Sequence, residues 1–280
     1  MMKLVPCILL LFSVAQGFQK EDRQEISRTL KFDRQADGRR LMIDNIKGPI
    51  TVEGYDGDDV QLQVVRLTKA ESDERLKEAN EDITLDVKES ADRIGIVVEV
   101  PWRNRWEGMD DWGYRYNGYE VSFDFRVKVP YKTDLYLRTV AEGDIRVTGV
   151  RGDFEVRNVN GGVELNDMGG SGRAGTVNGP LSVSFATNPA RNCAFTNVNG
   201  QVTASFREPL SADLLFKTFN GAAYTDFDFS PLPRRPGTIS ERHGKKVYQT
   251  GDEYTVRIGN GGPRLAFDTL NGNINIVKHQ

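Results

Sequence analysis

One segment of the sequence gathers residues suited to binding a ligand: residues 101–119, PWRNRWEGMDDWGYRYNGY. It holds all three tryptophans of the protein and three of its nine tyrosines, interleaved with arginine and aspartate. Aromatic rings supply rigid contact area and arginine supplies directional donors, a combination typical of surfaces that recognise sugars, peptides or partner proteins. The candidate ligand-binding residues are Trp102, Arg103, Arg105, Trp106, Trp112, Tyr114 and Tyr116. The alternative is that these rings fold back and cover one end of the core.

Residues that could carry out catalysis are few. The two histidines, His243 and His279, show no zinc-binding spacing, and no G-x-S-x-G motif is present. Asp226 and Asp228, two apart on an expected strand, could form a glycosidase-like carboxylate pair, although outward strand faces are ordinarily polar anyway. Cys193 is expected to be a buried, unreactive thiol. We therefore predict no catalytic residues, no metal and no cofactor, and a chain that is not an enzyme.

The elements that position these residues follow from a repeat. Five copies share an Asn-Gly pair, and three of them end in phenylalanine six residues after the glycine. The glycines are Gly161, Gly179, Gly200, Gly221 and Gly272, and two weaker copies contain Gly48 and Gly143. Alternating apolar residues follow each glycine and predict a strand with one buried face.

Two polar positions recur with the glycine. The residue before it is always asparagine, and the residue three before it is asparagine or threonine. The two columns are Asn160, Asn178, Asn199, Asn220, Asn271 and Asn158, Thr176, Asn197, Thr218, Thr269. Such columns are typical of stacked parallel coils, in which each side chain bonds its equivalent about 4.8 Å away. We therefore predict an all-β chain, a β-solenoid with coils of about 18–21 residues. The alternative is a sandwich or barrel of antiparallel hairpins.

The remaining stretches are expected to modify that rod. Residues 71–82 predict the one helix, with Ser72 as N-cap. The strands around it predict an antiparallel N-terminal part that pairs with or covers one end of the stack. Between the last two glycines, SPLPRRPGT predicts an exposed loop, and KKVYQTGDEYTVRI predicts a hairpin that turns at residues 250–252.

The first 17 residues predict a signal peptide: Lys3, an apolar run over residues 4–14, and an A-x-G cleavage site. We therefore expect export to the periplasm or cell surface, and no later segment predicts a transmembrane anchor. The net charge of −3 offers no basic excess for nucleic acid. The expected domains are the signal peptide (1–17), an N-terminal β-rich part with helix and aromatic insertion (18–137), and the repeat region (138–280), the last two being continuous.

These features together resemble the bacterial putative adhesin family. The resemblance is carried by IDNIKGPITVEGYDGDDVQLQV, the helix, the tandem V-x-V-x-N-V-N-G-x-V-x-L coils and LNGNINIV, and it covers about residues 25–277. It implies an exported β-solenoid that adheres to a surface and has no defined catalytic residues. We predict an adhesin-like, non-catalytic module that binds a carbohydrate or protein of the cell envelope. The alternatives are an envelope scaffold or assembly protein, and a β-helical carbohydrate-active enzyme.

Overall fold

The structure is a computed structural model that describes residues 18–32, 38–101, 117–233, 238–242, 245–249 and 254–279. Its elements in chain order are β1 Lys20–Lys31, β2 Arg40–Asp44, β3 Ile50–Tyr55, β4 Asp59–Ala70, α1 Asp73–Asp82, β5 Thr84–Glu89, β6 Arg93–Glu99, β7 Tyr119–Pro130, β8 Asp134–Arg138, β9 Ile145–Thr148, β10 Phe154–Arg157, β11 Val163–Met168, β12 Gly172–Asn178, β13 Leu181–Phe185, β14 Cys193–Asn199, β15 Val202–Phe206, β16 Ala212–Asn220, β17 Ala223–Thr225, β18 Ser230–Pro231, β19 Thr238–Arg242, β20 Lys245–Gln249, β21 Tyr254–Ile258, β22 Arg264–Asn271 and β23 Ile274–Lys278.

The described chain is all-β apart from α1 and forms two large mixed sheets. Sheet 1 has ten strands in the order β1-β4-β7-β3-β9-β11-β13-β15-β23-β17. Sheet 2 has eleven, in the order β18-β21-β16-β22-β14-β12-β10-β8-β2-β6-β5. Strands β19 and β20 pair only with each other. The predicted all-β class is confirmed at this level, and both sheets run through the N-terminal part and the repeat region.

Each Asn-Gly pair lies where the chain passes from sheet 2 to sheet 1. The strand before the glycine belongs to sheet 2, and the strand after it belongs to sheet 1. Within each sheet the strands of neighbouring copies pair in parallel and in register, for example Val183 with Ala204 and Phe195 with Phe267. Parallel neighbours cannot be joined by a two-residue turn, so these Asn-Gly pairs do not close hairpins.

The spatial order of the copies differs from their order in the chain. Strand β22 lies between β14 and β16, and β23 lies between β15 and β17. The fifth copy is therefore inserted between the third and the fourth. As a result, the strands beside Gly221 become the last copy at one end of the stack.

The core lies between the sheets and is built from the predicted apolar positions. Val163, Leu181, Val202 and Ile274, each two residues after a glycine, are at most 1% exposed. Phenylalanine rings stack between copies, with centroids 5.1 Å apart for Phe185–Phe206, 5.2 Å for Phe195–Phe267 and 5.9 Å for Phe216–Phe267. Stacked rings add to the stabilisation that their burial provides.

The asparagine column before the glycines forms the predicted ladder of side-chain hydrogen bonds. Asn178 donates to Asn160 at 2.9 Å, and Asn199 donates to Asn178 at 2.9 Å. Because of the inserted copy, Asn271 donates to Asn199 at 2.8 Å and Asn220 donates to Asn271 at 2.7 Å. The ladder therefore follows the spatial order of the strands.

The second polar column does not bond its own equivalents, and that prediction was wrong. Each side chain donates to the glycine carbonyl of a neighbouring copy: Thr176 to Gly161 at 2.7 Å, and Asn197 to Gly179 at 2.9 Å. These side chains are buried inside the corner, where that carbonyl needs a donor. A hydroxyl and an amide serve equally as donors, which explains why the column mixes threonine with asparagine.

The N-terminal part confirms the helix and corrects the pairing. Ser72 caps α1 and accepts from the Arg75 backbone N–H at 3.3 Å. Strands β1, β4 and β7 pair antiparallel, but β3 pairs with β7 in parallel and β2 pairs with β6 and β8 in parallel. The part is therefore mixed, because the chain passes from sheet 2 to sheet 1 between β2 and β3, and again between β6 and β7, as it does in the copies. Helix α1 covers this end: Ala79 is buried, and its carbonyl accepts from Arg66 at 3.0 Å.

Candidate functional site

The sequence-predicted binding residues lie outside the described residues. These are Trp102, Arg103, Arg105, Trp106, Trp112, Tyr114 and Tyr116. The described chain before them follows β6 of sheet 2, and the described chain after them leads into β7 of sheet 1 at Tyr119. The Tyr119 hydroxyl donates to Asp82 at the end of α1, at 2.9 Å.

The residues considered for catalysis are not assembled into a site. Strand β17 ends at Thr225, so Asp226 and Asp228 are exposed residues beyond the strand, and the prediction that they share a strand face was wrong. Cys193 is buried as predicted; its thiol lies 3.7 Å from the Arg191 carbonyl and accepts from the Gly172 N–H at 3.4 Å. Burial raises the pKa of the Cys193 thiol, which disfavours the nucleophilic thiolate.

The described ranges contain no group of three or more histidine, cysteine, aspartate or glutamate residues placed to hold a metal ion. In the same part of the chain, no helix is long and apolar enough to cross a membrane.

The two sheets end unevenly at the end opposite α1. In the described chain, sheet 1 stops at β17, whereas sheet 2 continues beyond β16 through β21 and β18. Strand β21 pairs antiparallel with β16 and with β18, and β20 pairs with β19. The predicted hairpin of β20 with β21 was therefore wrong, and part of the expected Pro-rich loop forms β18. Sheet 2 overhangs sheet 1 and leaves the core open on one side.

A groove of about 510 Å³ occupies this step between the sheets. We call it the end groove; its lining includes Phe216, Ala223, Tyr224, Phe229, Tyr254 and Val256. Ala223 occupies the core position that is buried in the other four copies, yet here it is exposed. Tyr224 is 56%, Phe229 51% and Tyr254 59% exposed. Side chains of this size and exposure mark a recognition surface more often than a plain solvated face.

A second groove, of about 610 Å³, continues the first around the corner. The two grooves share Thr218 and Tyr254, and the second adds Phe219 and Leu270. Phe219 is 80% exposed and Leu270 47% exposed, although valine stands at their position in the other three copies. The apolar surface is thus enlarged in the two copies nearest the open end.

Acidic groups border the end groove. The Lys278 ammonium pairs with Glu208 at 2.7 Å, and the Lys278 backbone N–H donates to Asp226 at 3.4 Å. The hydrogen bond to Glu208 does most to raise the pKa of Lys278, and the negative charges of Glu208, Asp228 and Asp226 raise it further. Among these groups, three carboxylates accompany one ammonium near the end of β17.

Sequence reasoning missed Tyr224, Phe229 and Tyr254. One signal was present: the fourth copy places alanine and threonine at its two core positions and tyrosine between them, which inverts the usual pattern. The position of Tyr254 in sheet 2 depends on long-range pairing and has no local signal.

Comparison with solved structures finds distant matches over most of the chain. A putative cell adhesion protein from Clostridium sporogenes is 11% identical with a TM-score of 0.46, and the match covers 92% of this chain and 100% of that one. A putative adhesin from Bacteroides fragilis is 8% identical with a TM-score of 0.25, covering 91% and 97%. A putative lipid binding protein from Parabacteroides distasonis is 9% identical with a TM-score of 0.25, covering 94% and 98%.

Two of these solved structures are described as a putative cell adhesion protein and a putative adhesin, the class that the sequence motifs resemble. At such low identities the likeness says nothing about a ligand. No protein-family model matches the chain. No curated protein matches it either.

Proposed function

We propose that residues 18–280 form an exported, non-catalytic binding module of the adhesin type. Its stacked copies form a rigid β-solenoid, and it works in the periplasm or at the cell surface. The end groove holds its ligand, a carbohydrate or protein of the cell envelope. The parallel register between copies and the asparagine ladder support the rigid scaffold, because every copy is bonded to the next at the same position.

The observation that carries the proposal is the exposure of core-facing residues at the end groove. Tyr254 pairs with Phe216 in sheet 2 and so faces the interior, yet it is more than half exposed. Ala223 faces the same space from sheet 1 and is also exposed. Apolar surface that faces a core without an opposing strand is favourably covered by a ligand.

A non-catalytic role is supported by the residues that could do chemistry. Cys193 sits inside the core, where burial raises its pKa and no substrate reaches the sulfur. Asp226 and Asp228 are exposed and lie beyond the end of β17, so no strand face holds them as a carboxylate pair.

The aromatic segment remains part of the proposal as a second contact. Its tryptophans and arginines, Trp102, Arg103, Arg105, Trp106 and Trp112, together with Tyr114 and Tyr116, combine rigid rings with directional donors.

The test is a binding screen of the purified mature chain against envelope glycans and envelope proteins, followed by variants. Replacing Tyr224 and Phe229 together with alanine is expected to weaken binding by roughly 10- to 100-fold, since exposed aromatic anchors carry much of an interface's energy. The matched control is Phe18→Ala, which removes a 39% exposed ring outside the end groove. Unchanged binding by the double variant, with its melting temperature preserved, would contradict the end groove as the site.

A further inference from the structure

Strand β17 presents a free backbone edge to the end groove. Within the described residues it is the last strand of sheet 1, and its only partner there is β23. The Ile274 N–H donates to the Ala222 carbonyl and the Asp226 N–H donates to the Ile276 carbonyl, each at about 3 Å. In a parallel pair, bonding to one neighbour uses alternate residues. The N–H and C=O groups of Ala223 and Thr225 therefore point away from β23, toward the end groove.

The overhanging part of sheet 2 supplies a surface for one more strand beside β17. Ile258, Val256 and Tyr254 pair with inward-facing residues of β16 and so share their face. Ile258 is 4% exposed and Val256 is half-buried, whereas Tyr254 is 59% exposed. The exposure rises along β21 because, among the described strands, sheet 1 has none opposite the Tyr254 end of β21. A strand added to β17 at the usual spacing of about 4.8 Å would lie in this space.

The two edge strands of sheet 1 differ in charge, which indicates where another strand can pair with the sheet. Strand β1, at the other edge, carries seven charged residues among its twelve, and charged edges resist pairing with another strand. Strand β17, Ala-Tyr-Thr, carries none. Beside it, the carboxylates of Glu208, Asp226 and Asp228 outnumber the single ammonium of Lys278. The edge is thus open to a strand, and its flank favours basic residues.

We propose that the end groove binds an extended polypeptide segment of a partner protein, which adds a strand to β17 in sheet 1. The segment has apolar residues at alternate positions, which pack on Tyr254 and Val256, and lysine or arginine beside the acidic flank. This inference rests on the proposed function and names the class of its ligand. Such strand addition draws affinity from main-chain bonds and specificity from alternate side chains.

Two other occupants fit the edge less well. A glycan would contact the aromatic rings and leave the bonding pattern of the β17 backbone unused. The edge strands that a second copy could offer from its two large sheets are short or charged: β17 and β18 have three and two residues, β1 carries seven charged residues among twelve, and β5 carries three among six. A longer strand from a different protein uses both the edge and the overhang.

The probe is a fluorescein-labelled peptide of sequence Lys-Lys-Val-Thr-Val-Ser-Val-Thr, measured by fluorescence polarisation with the mature chain. Two further versions are N-methylated at every second residue, one in each frame. The backbone donors of a strand alternate between its two edges, so one frame blocks the edge that meets β17 and the other spares it. We expect one frame to abolish binding and the other to keep it. Equal effects of both frames, or no binding of the plain peptide up to about 1 mM, would overturn the inference.

Protein variants locate the edge. Thr225→Pro removes the outward N–H, and Thr225→Val keeps it; both lose the bond from the Phe227 N–H to the threonine hydroxyl. We expect the proline variant to bind the peptide roughly tenfold more weakly than the valine variant, at equal melting temperatures. Equal affinities would overturn strand addition. A dimer in light scattering that Thr225→Pro dissolves would instead assign the edge to a second copy.

Failure of this inference is separable from failure of the proposed function. A glycan or protein from the envelope screen that binds Thr225→Pro normally, but binds the Tyr224 and Phe229 double variant weakly, would keep the proposed function and refute strand addition. Normal binding by both variants would refute the end groove as well.

Discussion

Replacing Gly200 with alanine is the sharpest test of how the copies stack. Gly200 has φ +152°, in the region that other residues avoid. An added Cβ would lie 2.2 Å from the Gly179 carbonyl oxygen of the neighbouring copy. Ordinary contact begins at 3.4 Å, so the two corners would have to separate by the difference, 3.4 minus 2.2, or about 1.2 Å.

The expected cost follows from what that separation breaks. Two hydrogen bonds cross the joint: Asn197 Nδ2 to the Gly179 carbonyl at 2.9 Å, and the Gly179 N–H to the Asn199 carbonyl at 3.1 Å. Stretching both past bonding distance costs about 1 kcal/mol each. The unusual φ adds about 1–3 kcal/mol for a residue with a Cβ. We therefore expect Gly200→Ala to lower the free energy of unfolding by about 3–5 kcal/mol, or the melting temperature by roughly 10 °C.

The assay is urea unfolding followed by circular dichroism, with Gly95→Ala as the matched control. A Cβ at Gly95, in β6, meets no atom within 4 Å, and its φ is not left-handed. The control should lie within about 1 kcal/mol of the parent protein, or above it, because alanine restricts the unfolded chain. If Gly200→Ala costs no more than Gly95→Ala, the close approach of neighbouring corners is refuted.

Three further predictions concern single sites. Asn197→Thr should raise the free energy of unfolding, measured by urea titration, by about 1 kcal/mol. Threonine keeps a donor for the Gly179 carbonyl and removes the buried Asn197 Oδ1, which has no hydrogen-bond partner in the described structure; a lower free energy of unfolding would contradict that reasoning. Burial raises the pKa of the Cys193 thiol, so the stability that the neutral thiol contributes is complete below the ordinary pKa of 9.0 and declines as pH rises through the higher pKa of the folded state. The buried thiol should react with a labelling reagent only after unfolding, and fast labelling of the native chain would refute the buried state. Replacing Trp106 and Trp112 with alanine should weaken binding to the ligand found in the screen at nearly unchanged melting temperature, whereas a large loss of stability would show that the rings cover the core.

The sequence predicts what depends on local spacing. Alternating apolar residues after each glycine predict the buried positions, and Ser72 predicts the start of the helix, because both rest on contacts within a few residues. The asparagine ladder was predictable because identical side chains at one repeated position meet in parallel strands. The prediction for the second column was wrong because its side chains bond a backbone carbonyl, and no residue type in the sequence indicates where that carbonyl lies.

The open end could not be predicted, because exposure depends on which strands are missing as neighbours. Placing β22 between β14 and β16 is a long-range choice among copies with nearly the same pattern, and it makes β17 the end of sheet 1. The alanine at position 223 and the exposed ring of Tyr224 are consistent with an edge, but the same residues would suit a covered turn. The overhang of β21 also required the pairing that the hairpin prediction missed.

Amide exchange at β17 tests the central claim most directly, because it reports each backbone donor separately. The measurement is hydrogen exchange by NMR on the mature chain, with and without the Lys-Lys-Val-Thr-Val-Ser-Val-Thr peptide. Strand addition predicts slower exchange at Ala223 and Thr225, whose N–H groups face the end groove, and little change at Tyr224 and Asp226, which face β23. Peptide binding that leaves Ala223 and Thr225 unprotected would contradict the account.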